Sequence, residues 1–143
     1  MTLSLQGQVA FITGGGSGLG AAAARRLAAD GAIVAINDLN LDAAKKVADE
    51  LGGLAFAFDV TDSAAFQSAV DTCVAQLGRL DIMINNAGIA PNDAASKMDL
   101  VMGNMGKRMA GNIAEMEPTN YLLDLSDENW DRMIKVHLYG TFY

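Results

Sequence analysis

Short apolar runs alternate with amphipathic stretches over the first 90 residues of the chain. Runs such as Val9-Ala10-Phe11-Ile12 are continuously apolar, which is typical of strands buried on both faces of a parallel sheet. The stretches between them have helical spacing and end at or near glycines, which commonly terminate helices. Strand–helix alternation with short links predicts a doubly wound α/β fold. The pattern predicts strands at 8–13, 33–37, 54–58 and 81–85, and helices at 18–29, 41–51 and 63–77, the last capped by Asp62 or Ser63.

The pattern changes after Ala90, where the run Pro91-Asn92-Asp93 breaks it. Apolar residues then recur every three or four positions, which predicts one stripe on a helix that ends at Pro118. Asp127 is a candidate N-cap for a last helix that runs through Leu138. The stripe comprises Met98, Met102, Met105, Met109, Ile113 and Met116.

Composition narrows the class of protein. The chain has 143 residues, 51% hydrophobic and 19% charged, which favours one folded domain over disorder. A net charge of −7 argues against nucleic-acid binding and against docking on an anionic membrane. A single cysteine, Cys73, and a single histidine, His137, predict neither a disulfide framework nor a metal site. With no apparent leader or membrane span in its sequence, the chain is expected to be cytoplasmic.

A glycine-rich loop, Thr13-Gly14-Gly15-Gly16-Ser17-Gly18-Leu19-Gly20, lies between the first predicted strand and the first predicted helix. Glycines let a ligand approach the backbone closely, and a helix N-terminus offers N–H donors and partial positive charge. This context favours binding of a dinucleotide pyrophosphate through Gly14, Gly18 and Gly20. The alternative is a tight turn without a ligand.

Asp38 ends the second predicted strand, 18 residues after Gly20. A carboxylate at this place accepts hydrogen bonds from the ribose hydroxyls of NAD and repels the 2′-phosphate of NADP. The next residues, Leu39 and Asn40, bring no positive charge, so we predict NAD over NADP. Alternatively, Asp38 only caps the turn into the following helix.

These residues resemble the short-chain dehydrogenase/reductase family. Residues 13–20 match its Thr-Gly-x3-Gly-x-Gly loop, Asp59-Val60 resembles its adenine contact, and residues 85–88 match its Asn-Asn-Ala-Gly motif. The resemblance implies a Rossmann-type sheet of order 3-2-1-4 and hydride transfer between a nicotinamide cofactor and an alcohol or carbonyl. The expected cofactor-binding residues are Gly14, Gly16, Ser17, Gly18, Leu19, Gly20, Asp38, Leu39, Asp59, Val60, Asn86, Ala87 and Gly88.

The chain also departs from the family pattern. The family's catalytic serine and Tyr-x3-Lys do not occur among the 143 residues. We therefore expect an incomplete nucleotide-binding domain over 1–143, truncated after the fourth strand and the following helix and inactive by itself. His137 occupies the position where the family usually has an asparagine of the proton relay. It is therefore a catalytic candidate, and the alternative is a partly buried helix residue with one satisfied hydrogen bond.

The segment at about 91–125 is longer than the family's usual crossing, so we interpret it as an insert. Its methionines either line or cover an apolar substrate site, or serve packing or a subunit contact. The resemblance implies a dimer or tetramer for the full-length form and favours hydroxyacyl or hydroxysteroid substrates. The alternative function is a non-catalytic nucleotide-binding sensor or partner-binding module.

Overall fold

The computed structural model describes residues 4–91, 94–120 and 123–143, and of residues 94–96 the backbone alone. Asn92 and Asp93 of the predicted break lie outside the described residues. The chain divides into two compact units, one formed by Met1–Gly88 with Lys135–Tyr143 and the other by Ile89–Ile134. The strands and helices are β1 Val9–Thr13, α1 Gly18–Ala29, β2 Ile33–Asn37, α2 Leu41–Leu51, β3 Leu54–Phe56, α3 Ser63–Leu77, β4 Ile82–Ile84, α4 Ala94–Met109 and α5 Asp127–Ile134.

The first unit is built on a parallel sheet of order β3-β2-β1-β4, as predicted. Every residue of β1 is buried, and its side chains alternate between two cores. Ala10 and Ile12 share one core with the apolar faces of α1 and α2. Val9 and Phe11 share the other core with α3. In this core Phe11 stacks on Phe56 of β3 at a centroid distance of 5.3 Å. Helices on both faces confirm the doubly wound α/β class.

Side-chain caps explain why α2 and α3 begin where the sequence predicts. Asn40 Oδ1 accepts the N–H groups of Asp42 and Ala43, each at 3.1 Å. Asp62 Oδ1 accepts the N–H groups of Ala64 and Ala65 in the first turn of α3, each at 3.0 Å. Asp62 rather than Ser63 is therefore the cap of this helix. Each cap satisfies helix N–H groups that have no partner inside the helix.

The two outer strands, β3 and β4, are shorter than predicted. Each pairs with a single neighbour, so the ladder ends sooner than in the centre of the sheet. Beyond β3, the N–H of Phe58 donates to Asn37 Oδ1 instead of to a strand. Before β4, the Asp81 carboxylate accepts the N–H of Val9 at 2.8 Å. A hydrogen bond from Arg79, together with the one from Val9, lowers the pKa of Asp81 and so favours its charged form.

The methionine-bearing helix ends earlier than predicted. α4 stops at Met109, and the prediction of one helix through Met116 is wrong. Gly111 has a φ of 81°, and its N–H donates to the carbonyl of Arg108, while the N–H of Asn112 donates to that of Lys107. This pair of bonds closes the helix by the left-handed glycine motif. Ile113–Glu115 then forms a separate 3-10 turn.

The last helical segment also differs from the prediction. Ser126 Oγ accepts the N–H of Asn129 at 3.2 Å, so Ser126 has the capping bond predicted for Asp127. After α5, Lys135–Tyr139 forms a π-helical turn and Gly140–Phe142 a last α-helical turn. The predicted single helix through Leu138 is therefore interrupted.

Two further findings concern the class of protein. Cys73 lies on the buried face of α3, and burial raises the pKa of its thiol, which is typical of an inert packing residue. Among the described residues, no helix has both the length and the apolar character needed to cross a membrane.

Candidate cofactor-binding site

The predicted site residues follow the carboxyl ends of the four strands. The glycine loop follows β1, Asp38 follows β2, Asp59 follows β3, and the Asn-Asn-Ala-Gly segment follows β4. Because all four strands are parallel, these segments meet along one edge of the sheet. Ligands of open α/β sheets bind outside this edge.

Two glycines let the loop fold against the segment after β4. Gly14 has a φ of 62°, and a Cβ there would lie 2.9 Å from the Cα of Ala87. A Cβ on Gly20 would overlap the carbonyl oxygen of Gly14 and lie 2.6 Å from Asn86 Nδ2. Both distances are too short for a side chain, so the backbones approach each other only because these positions are glycine.

The N-terminus of α1 is open. Ser17, at the cap position, is extended and its side chain makes no capping hydrogen bond with a described residue. The first turn carries no acidic residue, and Ser17, Gly18 and Leu19 are exposed. The first N–H groups of a helix have no partner inside it, and they carry the positive end of its dipole. This arrangement suits an anionic group such as a pyrophosphate.

Asp38 lies at the edge of the loop and connects it to β2. Its Oδ2 accepts the N–H of Gly16 at 3.0 Å, and its Oδ1 accepts the N–H of Asn40 at 3.0 Å. Asn40 caps α2, and Asp38 Oδ1, by accepting the Asn40 N–H, caps the turn that leads into this helix, as the alternative prediction has it. Asp38 is half-buried and Leu39 is exposed, which leaves this corner accessible to a ribose.

The two residues after β3 have different surroundings. Asp59 is exposed, and its Oδ1 accepts the N–H and the hydroxyl of Thr61 at 2.9 and 2.8 Å. Val60 is buried, and a Cβ on Gly140 would lie 2.7 Å from its Cγ2. Val60 therefore packs under the last helical turn, while Asp59 offers its carboxylate at the surface.

A network centred on Thr13 joins the end of β1 to the segment after β4. Thr13 Oγ1 accepts the N–H groups of Asn86 and Ala87, each at 3.1 Å, and donates to the carbonyl of Ile84. Asn86 Nδ2 in turn donates to the carbonyls of Thr13 and Gly14, each at 3.1 Å. Sequence reasoning placed Thr13 in the loop motif but gave it no role. Its strand-end position before the glycines was the available signal.

We expect Thr13→Val to destabilise the protein, although the valine side chain has nearly the same shape as that of threonine. The hydroxyl is buried, and its loss leaves the Ala87 N–H without its acceptor, at a cost of about 1–3 kcal/mol. The Asn86 N–H keeps the Ile84 carbonyl as a partner, so the loss of its bond to the hydroxyl and of the hydroxyl's bond to Ile84 together adds about 1 kcal/mol. Urea unfolding should therefore show a fall in the free energy of unfolding of about 2–4 kcal/mol. Thr13→Ser keeps the hydroxyl and should lose less than half as much. Equal losses in the two variants would contradict this role.

His137 lies against the segment after β4. A Cβ on Gly88 would lie 2.7 Å from His137 Cε1, so the imidazole packs on the Gly88 backbone. His137 belongs to the π-helical turn, where Thr141 Oγ1 donates to its carbonyl. The structure thus brings His137, Asn86, Ala87 and Gly88 to one end of the site.

Comparisons with known proteins agree with this architecture. The family model for short chain dehydrogenases matches residues 8–143. D-threitol dehydrogenase of Mycolicibacterium smegmatis is 36% identical over 96% of this chain and 45% of its own length. The 7alpha-hydroxysteroid dehydrogenase of Escherichia coli is 44% identical over 60% of this chain and 36% of its own length.

A solved structure extends the likeness to the fold. The 3-ketoacyl-(acyl-carrier-protein) reductase of Brucella melitensis, complexed with NADH, matches with a TM-score of 0.75 and 32% identity, over 97% of this chain and 47% of that chain. The present chain spans about half the length or less of these relatives. With its loop, its strand order and the family model in agreement over nearly the whole chain, the protein belongs to the short-chain dehydrogenase family.

Proposed function

We propose that this chain provides the cofactor-binding part of an NAD-dependent oxidoreductase that transfers hydride between a nicotinamide cofactor and an alcohol or carbonyl. One observation carries the proposal. The glycine loop packs on Asn86 and Ala87, the α1 N-terminus behind it is open, and Asp38 lies at its edge. The proposed ribose, pyrophosphate and nicotinamide sites therefore follow one another along the sheet edge, after β2, β1 and β4.

Each group of residues has a distinct role in this proposal. Gly18, Leu19 and Gly20 hold the pyrophosphate through backbone N–H groups at the start of α1. Gly14, Gly16 and Ser17 line its close approach to the loop, and the Gly16 N–H itself is bonded to Asp38. Asp38 with Leu39 binds the adenosine ribose, and Asp59 with Val60 binds the adenine. Asn86, Ala87 and Gly88 support the nicotinamide ribose, and the Thr13 network holds their backbone in register with the loop.

The charge at the ribose corner favours NAD over NADP. Asp38 is held in place by two backbone N–H groups, so its carboxylate cannot easily move away from a 2′-phosphate. The loop residues nearest to it, Gly16 and Ser17, bring no compensating cation. We therefore propose that the fixed carboxylate of Asp38 accepts hydrogen bonds from the ribose hydroxyls of NAD and repels the 2′-phosphate of NADP.

Acid–base catalysis is not assigned to these residues. The bound nicotinamide supplies the chemistry of hydride transfer, and the chain positions it. His137 lies where it can orient Gly88 and the nicotinamide end of the site. A Ser and Tyr-x3-Lys set is needed for proton transfer in this proposal and does not occur in the 143 residues, which we therefore expect to be inactive alone.

The names of the relatives guide the proposed substrate class, and the family resemblance guides the proposed assembly. The named relatives act on a polyol and on a hydroxysteroid, and the solved structure is a ketoacyl reductase. We propose a hydroxyacyl or hydroxysteroid type of substrate, a dimeric or tetrameric full-length form, and a cytoplasmic location.

The test is a pair of titrations and one assay. NADH and NADPH are titrated into the protein while nicotinamide fluorescence is recorded, and we expect NADH to bind at least about tenfold more tightly. The protein translated from the full reading frame is then assayed for NAD reduction with a polyol, a hydroxysteroid and a hydroxyacyl thioester. Turnover by the full reading frame but not by residues 1–143 is expected. Absence of saturable NADH binding would contradict the proposal.

A further inference from the structure

The second unit, Ile89–Ile134, contains a groove whose lining residues are not part of the proposed cofactor site. One wall is a face of α4 with residues at positions 101, 104, 105, 108 and 109, and the other is the returning segment that contains Met116. The groove encloses about 670 Å³, within the range of roughly 300–1,000 Å³ for small-molecule sites. We call it the methionine groove; its main lining residues are Val101, Asn104, Met105, Arg108, Met109 and Met116.

The two walls are fastened to each other. Asn104 is buried, and its amide makes both possible bonds to the Glu117 backbone, donating to the carbonyl at 2.7 Å and accepting the N–H at 2.9 Å. The Lys107 ammonium also contacts the Glu117 carboxylate at 3.0 Å. Gly111 closes α4 and lets the chain turn back. The groove is therefore formed before any ligand arrives, which lowers the entropic cost of binding.

The lining is apolar and exposed. Met105 is 55% exposed and Met109 81% exposed, although a methionine gains by removing its side chain from water. Methionine side chains adapt to irregular apolar ligands because they are unbranched and polarizable. This lining fits an aliphatic or alicyclic body better than a polar one.

One charge lies in this apolar surface. Lys107 is neutralised by Glu117, but no carboxylate among the described residues pairs with the guanidinium of Arg108, which lines the groove. Arg108 therefore offers a local positive group to an anion, although the chain as a whole has a net charge of −7. A guanidinium binds a carboxylate through two parallel hydrogen bonds.

A second copy of the chain fits this groove less well. A two-fold contact centred on the groove would place Arg108 near the Arg108 of the other copy, and like charges would oppose the contact. A membrane surface fits poorly as well, since the acidic chain is repelled by anionic lipid.

We propose that the methionine groove binds a small amphiphile with one carboxylate, its apolar body on Met105, Met109 and Met116 and its carboxylate on Arg108. The inference does not depend on the cofactor assignment, since it rests on residues of Ile89–Ile134 alone.

The experiment uses the protein at the full length of its reading frame, saturated with NADH. Decanoate is titrated by calorimetry, with decanol and decyltrimethylammonium as probes that keep the tail and change the head. We expect saturable binding of decanoate, and binding of the other two at least about tenfold weaker. Arg108→Gln should weaken decanoate binding by about tenfold or more.

Two further variants make the result specific. Arg132→Gln removes the same charge from an exposed residue outside the groove, where the guanidinium donates to the Ala90 carbonyl, and should change binding by less than about twofold. Met109→Glu places an acid beside Arg108 at an exposed position and should abolish binding without changing the unfolding midpoint.

Three outcomes would overturn the proposal. The first is equal affinity of decanoate for the parent protein and Arg108→Gln, or equal affinity for decanol. The second is absence of saturable decanoate binding; a smaller oligomer for Met109→Glu in light scattering would then identify the groove as a contact between copies. The third is sedimentation of the protein with phosphatidylcholine–phosphatidylglycerol vesicles. NADH binding is recorded in the same samples, so loss of the cofactor site is seen separately.

Discussion

Gly20→Ala is expected to remove detectable NADH binding, with a loss of affinity of about 100-fold or more. The new Cβ would overlap the Gly14 carbonyl oxygen and lie 2.6 Å from Asn86 Nδ2; the first is a backbone atom and the second is held by hydrogen bonds. The loop must therefore move away from the segment after β4. That movement displaces the N–H groups proposed to hold the pyrophosphate. The overpacking should also lower the free energy of unfolding by about 1–3 kcal/mol.

Gly78→Ala is the matched control. Gly78 ends α3 with a φ of 81°, and a Cβ there would meet open space. The variant should lose about 1–2 kcal/mol of stability from left-handed backbone strain and keep its NADH affinity. Both variants are measured by urea unfolding and by nicotinamide fluorescence. Loss of affinity in both, or retained affinity in Gly20→Ala, would contradict a specific role of the loop contact.

The sequence predicted the first unit well because local signals and tertiary demands agree there. Asn40 and Asp62 cap helices through bonds to the next three residues, and Gly78 closes one through its own backbone. Helices cover both faces of the sheet at β1 and β2, so these strands are apolar along their buried runs and their prediction does not depend on which face is buried. Elements of this kind are determined within a few residues of sequence, so pattern reasoning finds them.

Other features depend on distant residues and were missed. The contact of His137 with Gly88 joins positions far apart in the chain, and the Thr13 network depends on the register of β1 and β4. The end of α4 was misjudged for a different reason. The spacing of apolar residues continued past Gly111, and periodicity alone does not distinguish a helix from a helix followed by a turn.

Asp38→Asn is expected to change cofactor preference more than any other single change of charge. The amide keeps the size of the side chain, but it has one acceptor oxygen where the carboxylate uses two, for Gly16 and Asn40. NADH binding should weaken by about tenfold, because hydrogen bonds from ribose hydroxyls to a charged acceptor are lost. NADPH binding should improve by about tenfold, because a fixed negative charge no longer faces the 2′-phosphate. The ratio of the two dissociation constants should therefore change by about 100-fold.

The control is Asp42→Asn, which removes one negative charge from an exposed residue in the first turn of α2. A general effect of net charge would shift the ratio equally in both variants, whereas a contact at the ribose shifts it in Asp38→Asn alone. We expect a change of less than about twofold for Asp42→Asn, since exposed charges are screened. The titrations are repeated at high salt, because a long-range charge effect would decline there and a direct hydrogen bond to the ribose would remain. An unchanged ratio in Asp38→Asn would exclude Asp38 from the ribose site even if NADH still binds.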